Sequence, residues 1–584
     1  MIRFAQTCEA VAATTRKLEK TALVAEYLRS LPERSAEIAA IFLSGRPFAA
    51  YRETTLQVGG SMLWRTISEL SGRSEQELTT SYRQHGDAGA VAADVLPPNP
   101  RSVLSLAEVQ ATFERIADAR GPSAKAVLLR ELLQRAAPLE AKYIVKIVSG
   151  DLRIGLKESL VEDAIAKAFE VALLDVKRAN MLLGDIGETL LLARRGALLE
   201  ARMRLFHAID FMLASPVESA EEALSYFENV AVEDKYDGIR AQAHIGGGEA
   251  RLFSRTRDQI TESFPELPPA LAGLPDGTVL DGEIVAWTDC ESDTPARPTP
   301  ESETSPAATG QGRALPFSTL QQRLGRKKVS EKLMRDVPIA YLVFDVFCSS
   351  GELLLDLPLR ERARILDELM AAPRKVVASQ SMSQSRAQGR LAFEDVQPRP
   401  ANILRAPVFT VRSPEDIENL FAAARARGNE GLMIKDLDSL YTPGRRGKSW
   451  LKLKRELATL DVVVTAVEYG HGKRIGVLSD YTFAVWDGDR LVNIGKAYSG
   501  LTDAEIATMT QWFLAHVERD EGMHLQVEPK IVMEVAFNNM MKSSRHESGF
   551  ALRFPRIVRL RADKLPEDAD TIETVREIHE RQGT

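Results

Sequence analysis

Cysteine is scarce in this 584-residue chain: Cys8, Cys290 and Cys348 are the three present, with no CxxC pair and no histidine partner at zinc-finger spacing. That spacing excludes a disulfide framework and a structural zinc site, and reads as reduced, structurally neutral thiols. Also lacking is an uninterrupted apolar run of the ~18 residues that a membrane span needs, so no membrane association is expected. Residues 1–13 have neither a basic start followed by an apolar stretch nor a small-residue cleavage site, which makes a cytoplasmic location the expectation, nucleoid-associated in a prokaryote. No internal repeat is found.

An excess of basic charge is missing too, the formal net charge being −7. Its distribution matters more than its sum. Residues 1–205 hold 28 Lys+Arg against 25 Asp+Glu, a balance of +3, which leaves −10 for the remainder. Much of that acidity is local, in residues 289–303 and 567–580, so the overall charge does not exclude a nucleic-acid partner.

With 44% hydrophobic and 27% charged residues the composition is that of a globular protein. At ~100 to 200 residues per domain, its length suggests three or four units. Residues 5–204 carry apolar positions at spacings of three and four, as in residues 123–136, and predict an all-α domain over 1–205. Within it the run SGDLRIGLKES at 149–159 sets two glycines beside Arg153 and Lys157. Such a loop suits phosphate contact, although taken alone it reads better as a plain helix connection.

After Ala214 the texture changes to short alternating segments, AQAHI, ARLFS, TVLDGEIVAW and AYLVFDVF, which predict a sheet-rich α+β domain over 206–455. Amphipathic helices are predicted over 357–370 and 414–427. The Thr-, Pro- and Ser-rich stretch near 288–312 has too few apolar groups to offset its ordering entropy and is expected to be a disordered insertion. Beyond Lys454, strand patterns at 461–467, 481–486, 491–495 and 531–537, with one helix near 502–517, predict a small β-barrel over 456–584.

The candidate nucleophile is Lys235, in EDKYDGIR at 233–240. It falls at a strand end, where Gly238 permits a turn that a branched residue would resist. A lysine amine is a weak nucleophile while protonated and needs desolvation or neighbouring positive charge. K-x-D-G alone is a weak signal, better read as a surface turn. The companions in fixed order change this: SRTRDQIT at 254–261, VLDGEIVAW around Glu283, LVFDVF around Phe344, EGLMIK at 430–435, SWLKLK at 449–454 and RFPRIVRLRADK at 553–564.

This series resembles the nucleotide-binding motifs of the covalent nucleotidyltransferases, and over nearly the whole chain the ATP-dependent DNA ligases of three-domain type. The DLRIGL loop, FSTLQQRLGRKK at 317–328 and LPEDADTIETV at 565–575 are also similar to that family, whereas Thr256 stands where the family usually has Asn. The resemblance implies a helical DNA-binding domain, a nucleotidyltransferase domain built on an ATP-grasp-like antiparallel sheet, and a C-terminal OB-fold domain. It implies sealing of nicks in duplex DNA, in replication, repair or recombination. Lys235 would attack the α-phosphate of ATP, AMP would pass to the 5′-phosphate, and the 3′-hydroxyl would displace it, with Mg²⁺ as cofactor and the protein acting as a monomer.

By the same resemblance, Arg240, Arg255, Arg446, Lys452 and Lys454 surround the phosphates and the nick and would favour a neutral Lys235. Glu233 and Phe344 take the adenine-contacting and adenine-stacking positions. Glu283 and Glu430 are the carboxylates for ribose or metal. Arg559, Arg561 and Lys564 meet the pyrophosphate when the OB domain folds over the cleft about a hinge at 455–459. Taken alone, Lys452 and Lys454 suit an amphipathic edge strand and Phe344 a core position. An NAD-dependent ligase would bring a zinc-binding cysteine cluster, which three scattered cysteines cannot build. A capping guanylyltransferase or RNA ligase would share the lysine chemistry, usually without the long helical domain. A silent scaffold should have lost Lys235 or its basic companions first.

Overall fold

The computed structural model describes residues 1–52, 54–99, 102–289, 312–324, 326, 328–371, 402–454, 458–471 and 474–583. The biased stretch near 288–312 and the hinge at 455–459 fall largely outside these. Among the described residues, no helix is long and apolar enough to cross a membrane. Cys8 and Cys348 are buried free thiols, and burial pushes both above the ordinary thiol range.

Helices from Ile2–Ala12 to Ile186–Arg195 form the N-terminal unit. Their apolar stripes meet in one core, where Phe42 lies edge-on to Phe4 and Phe113 at centroid distances of 6.1 and 5.7 Å. Capping boxes at Ser74/Glu77 and Ser105/Glu108 satisfy the first free N–H groups of two helices. In the 149–159 loop Arg153 adopts φ +53° and donates to Gly86 O at 2.7 Å, so its guanidinium is engaged within the protein. Lys157 is exposed.

The central unit contains strands β1 (Leu213–Val217), β2 (Val230–Lys235), β3 (Ile239–Gly246), β4 (Glu249–Ser254), β5 (Thr278–Asp289), β6 (Gly312–Ala314), β7 (Ile339–Ser349), β8 (Glu352–Leu353), β9 (Asn402–Arg405), β10 (Gly431–Asp436) and β11 (Arg446–Leu453). They divide into two sheets. One has the order β1-β11-β10-β2, and the other runs β4-β3-β5-β7-β8, with β6 on β5 and β9 on β7. Pairing is antiparallel except β1 with β11 and β7 with β9, whose chain connections are too long for a period-two pattern to reveal. The expected helices are Leu359–Ala371 and Pro414–Ala426.

Residues 236–238 carry the chain from β2 in the first sheet to β3 in the second, so the nucleophile motif is the crossover between them. Gly238 is needed there for a reason other than the turn freedom expected. Its φ lies outside the left-handed region, and a Cβ would come within 2.4 Å of Ile284 O and 2.9 Å of Glu283 Cγ. Close approach of β5, not turn geometry, demands glycine.

The C-terminal unit is a curled antiparallel sheet of β12 (Ala458–Tyr469), β13 (Leu478–Asp487), β14 (Arg490–Ala497), β15 (Val517–Asp520), β16 (His524–Val527), β17 (Val532–Phe537) and β20 (Arg556–Leu560), with a hairpin of β18 (Asn539–Lys542) and β19 (Phe550–Arg553). Strand β12 pairs along its length with β13, β16 and β17, which bends the sheet into the OB-like barrel. Helix Asp503–Ala515 packs on β13.

Candidate active site

Strand alternation builds the site. In the register β2-β10-β11, Gly431 lies opposite Lys235, Met433 opposite Glu233 and Lys452, and Lys435 opposite Ala231 and Trp450. One face of the first sheet therefore presents Glu233 and Lys235, then Met433 and Lys435, then Trp450, Lys452 and Lys454. The other face presents Val232, Leu432, Ile434, Leu451 and Leu453 to an apolar core.

Lys235 Nζ donates to Glu430, and the Glu430 N–H donates to Lys235 O at 2.8 Å. The direct partner of Lys235 is thus a carboxylate, whereas the sequence pointed to cations alone. The cations stand one shell further out. Burial lowers the Lys452 ammonium below its ordinary range, and Lys454, Lys235, Arg446 and Arg255 lower it further, which places residues from three segments around one point. Arg255 and Arg446 are exposed at its rim.

Glu233 is buried and accepts from Lys435 Nζ at 2.6 Å. That ammonium lies 4.4 Å from the ring centroids of both Phe344 and Trp450, and burial pulls it below its ordinary range against the opposing pull of Glu233. Two rings meeting edge-on, with centroids 6.2 Å apart, a carboxylate and an ammonium thus form one buried cluster on the sheet face that carries Lys235. Arg240 lies beneath this cluster, donating to both carboxylate oxygens of the fully buried Asp281 at 3.1 and 2.7 Å and to Met212 O at 2.7 Å. Its guanidinium is therefore bound to the protein. It supports Phe344 and Trp450, whose centroids are both 5.4 Å away.

Glu283 faces Arg240 across β3 and β5. Burial pushes its carboxyl up to about 8, with Glu430 and Asp281 adding to the shift and Lys235 and Arg240 opposing it. Burial likewise raises Asp237, helped by Glu430. Burial would raise Glu430 as well, but Lys235, Lys454 and Arg553 hold it below the ordinary carboxylate range. Among the described residues no group of three or more His, Cys, Asp or Glu side chains could hold a metal. Mg²⁺ takes oxygen ligands, usually one or two carboxylates completed by substrate phosphates and water. Glu283 and Glu430, oxygen donors that repel one another beside Lys235, fit such an ion.

Three other groups differ from the sequence reading. Arg561 and Lys564 are engaged within the C-terminal unit, both paired with Asp461 at 2.8 and 2.7 Å, and Arg559 pairs with Glu534 at 2.7 Å. None of the three contacts the nucleophile in this conformation. Arg553 instead reaches the turn after Lys235, donating to Asp237 while its guanidinium lies 4.4 Å from the Phe317 ring centroid. Thr256, in place of Asn, bonds Ser254 at 2.9 Å and Asp258, closing a local turn that leaves Arg255 exposed. Asp281, Lys435, Trp450 and Arg553 were not singled out from sequence. Trp450 shares the parity of Lys452 and Lys454, a signal that could have found it.

A lysine at the crossover of two sheets, beside a cluster of aromatic and charged side chains and with a barrel domain in contact with its turn, is the arrangement expected of a covalent nucleotidyltransferase. The chain matches three family descriptions: DNA ligase N terminus over residues 1–166, ATP dependent DNA ligase domain over 211–454, and ATP dependent DNA ligase C terminal region over 474–564. It is 56% identical over 582 residues to a probable DNA ligase of Koribacter versatilis, covering 99% of this chain and 96% of that protein. It is 34% identical to a DNA ligase of Methanopyrus kandleri, covering 96% and 95%. The solved structure titled Pmar-Lig_Pre. superposes with a TM-score of 0.58 at 16% identity, covering 96% of this chain and 99% of that one, a likeness of fold. The chain belongs to the ATP-dependent DNA ligase family, whose members join nicked DNA through a lysine–AMP intermediate.

Proposed function

We propose that Lys235 carries the AMP, that Glu233, Phe344 and Lys435 bind its adenine with Arg240 supporting the cluster, and that Arg255, Arg446, Lys452 and Lys454 receive the phosphates. The observation that carries this reading is the single sheet face on which Glu233, Lys235, Lys435, Trp450 and the lysines of β11 meet. Lys235 Nζ attacks the α-phosphorus of ATP and pyrophosphate leaves. Glu430 accepts a hydrogen bond from the amine and so aims it. The 5′-phosphate oxygen of the nick then attacks the same phosphorus and releases the lysine. Finally the 3′-hydroxyl attacks the activated 5′-phosphate, AMP leaves, and the phosphodiester is complete. Charge accumulates on non-bridging oxygens in each step, so the fixed cations stabilise the transition states.

Glu283 and Glu430 would hold Mg²⁺, which when bound neutralises phosphate charge. Arg561 and Lys564 serve the pyrophosphate only after the C-terminal domain reorients to bring them to the site and both exchange Asp461, a partner in their own domain, for phosphate oxygens. We take the domain limits as 1–205, 206–455 and 456–584. The protein acts as a cytoplasmic monomer on nicked duplex DNA, in replication, repair or recombination. Sealing assays with ATP, GTP or NAD, on nicks flanked by DNA or RNA strands, test the reading. ATP with an all-DNA nick should give the fastest joining, and joining driven by NAD or favoured by an RNA strand would refute it.

A further inference from the structure

Asp234 stands on the wrong face of its strand. Between Glu233 and Lys235, it projects to the side where Val232, Leu432, Ile434, Leu451 and Leu453 pack against Ile417 and Phe421, directly opposite Leu432 in register. Its side chain is 6% exposed. An ionised carboxylate in such a place costs several kcal/mol unless its oxygens are fully engaged. They are: Arg427 donates through Nε at 3.0 Å and Nη2 at 2.8 Å, and Asn429 Nδ2 donates at 2.8 Å.

Both partners belong to the short segment between helix Pro414–Ala426 and β10, the segment that delivers Glu430. Two neighbours on β2 thus grip neighbours on this segment, Asp234 holding Asn429 on one face and Lys235 holding Glu430 on the other. The segment has few alternatives. Arg425 Nη1 donates to Asn429 O at 3.0 Å, Gly428 sits at φ +84°, and Gly431 at φ +148° passes so close to β11 that a Cβ would lie 2.3 Å from Leu453 O. Asn429 Oδ1 is buried without a hydrogen-bond partner, a cost borne while the amide serves Asp234.

We propose that Asp234, with Arg427 and Asn429, is a positioning unit for lysine adenylation: it sets the register of Glu430 against Lys235 and so aims the amine at the α-phosphorus. Asp234 touches no reacting atom. The inference rests on Lys235 being the nucleophile. Displacement of a reacting group by about 1 Å can cost ~10²-fold in rate, so a clamp two bonds removed from the chemistry is enough to matter.

The test separates the steps of the reaction. Arg427, whose side chain is 43% exposed, is replaced in Arg427→Ala and Arg427→Lys, and Asp234→Asn keeps the shape while removing the charge. Transfer of label from α-labelled ATP to the protein is measured in single turnover across ATP concentrations. Sealing of a nick already bearing AMP on its 5′-phosphate, which needs no lysine adenylation, is measured in parallel. Arg427→Ala should lower the maximal adenylation rate about 10- to 100-fold with KM for ATP within about 3-fold, and sealing of the pre-adenylated nick should fall at least ten times less. Arg427→Lys should recover only part of the loss, since an ammonium cannot reproduce the two-point contact. Equal losses in both assays, a change in KM alone, or no loss would overturn the proposal. Lys235→Ala keeps the outcomes distinct: label persisting in it refutes the nucleophile itself, whereas label lost in it but normal in Arg427→Ala refutes the positioning unit alone. Should Asp234→Asn fail to fold, the Arg427 variants decide.

Discussion

Arg553, at the end of β19 in the C-terminal unit, donates to Asp237, two residues after Lys235. The contact ties the barrel domain to the crossover turn, and both side chains are at most 16% exposed. Arg553 also contributes to holding Glu430 ionised. Arg553→Ala should therefore slow lysine adenylation by about 10-fold or more, the effect of removing one buried charged partner. Single-turnover labelling measures this, and an unchanged rate would mean that the contact is incidental to the chemistry.

Arg240 is a structural cation. Arg240→Met should leave Asp281 buried without its charged partner, only the Tyr441 hydroxyl still donating to it, costing about 3–5 kcal/mol of stability, while Arg240→Met with Asp281→Leu should recover much of it. Urea denaturation of the four combinations yields the coupling. Additive losses would show that the pair is not the source of the cost.

How much of this was legible in the sequence varies with the range of the interaction. The order of motifs, the helical start, the barrel end and the face shared by Lys452 and Lys454 follow from local pattern. Lys435 on Glu233 was not legible, since 202 residues separate the pair and only sheet register brings them together. The same holds for Arg553 on Asp237, a contact between units. Arg561 and Lys564 carry the motif, yet composition says nothing of Asp461, which binds both here. Gly238 was marked correctly as a special position, and its reason became visible only when β5 was seen against it.

Arg83 of the helical unit donates to Asp520 at 2.5 Å and to Gly522 O at 2.8 Å of the barrel unit, and Tyr82 lies edge-on to His471. Partly exposed pairs contribute only ~0–1 kcal/mol and are screened by salt. Arg83→Glu should therefore loosen this contact and raise the radius of gyration of the DNA-free protein in small-angle scattering, with added salt moving the native protein in the same direction. Identical scattering curves would show that other contacts hold the units together.

His244 is fully buried, accepts from the Phe206 N–H at 3.1 Å, and burial, with a smaller contribution from His207, pushes it down to about 3. A base with a depressed folded pKa binds its proton more readily in the unfolded chain, so its share of stability is present above ~6.5 and is lost as pH falls. Between pH 7 and pH 5 the loss should reach about 2 kcal/mol, at ~1.36 kcal/mol per pH unit below the unfolded pKa. Urea midpoints compared at those two pH values for the native protein and His244→Gln measure it. Parallel losses in both would exclude His244 as the source.

The most direct measurement of the central claim is covalent labelling. The native protein, Lys235→Ala and Lys235→Arg are incubated with α-labelled ATP and Mg²⁺, denatured, digested and the labelled peptide sequenced. Label on the native protein should map to Lys235 in EDKYDGIR and be absent from both variants. Label that persists in Lys235→Ala, or that maps to another lysine, would contradict the account.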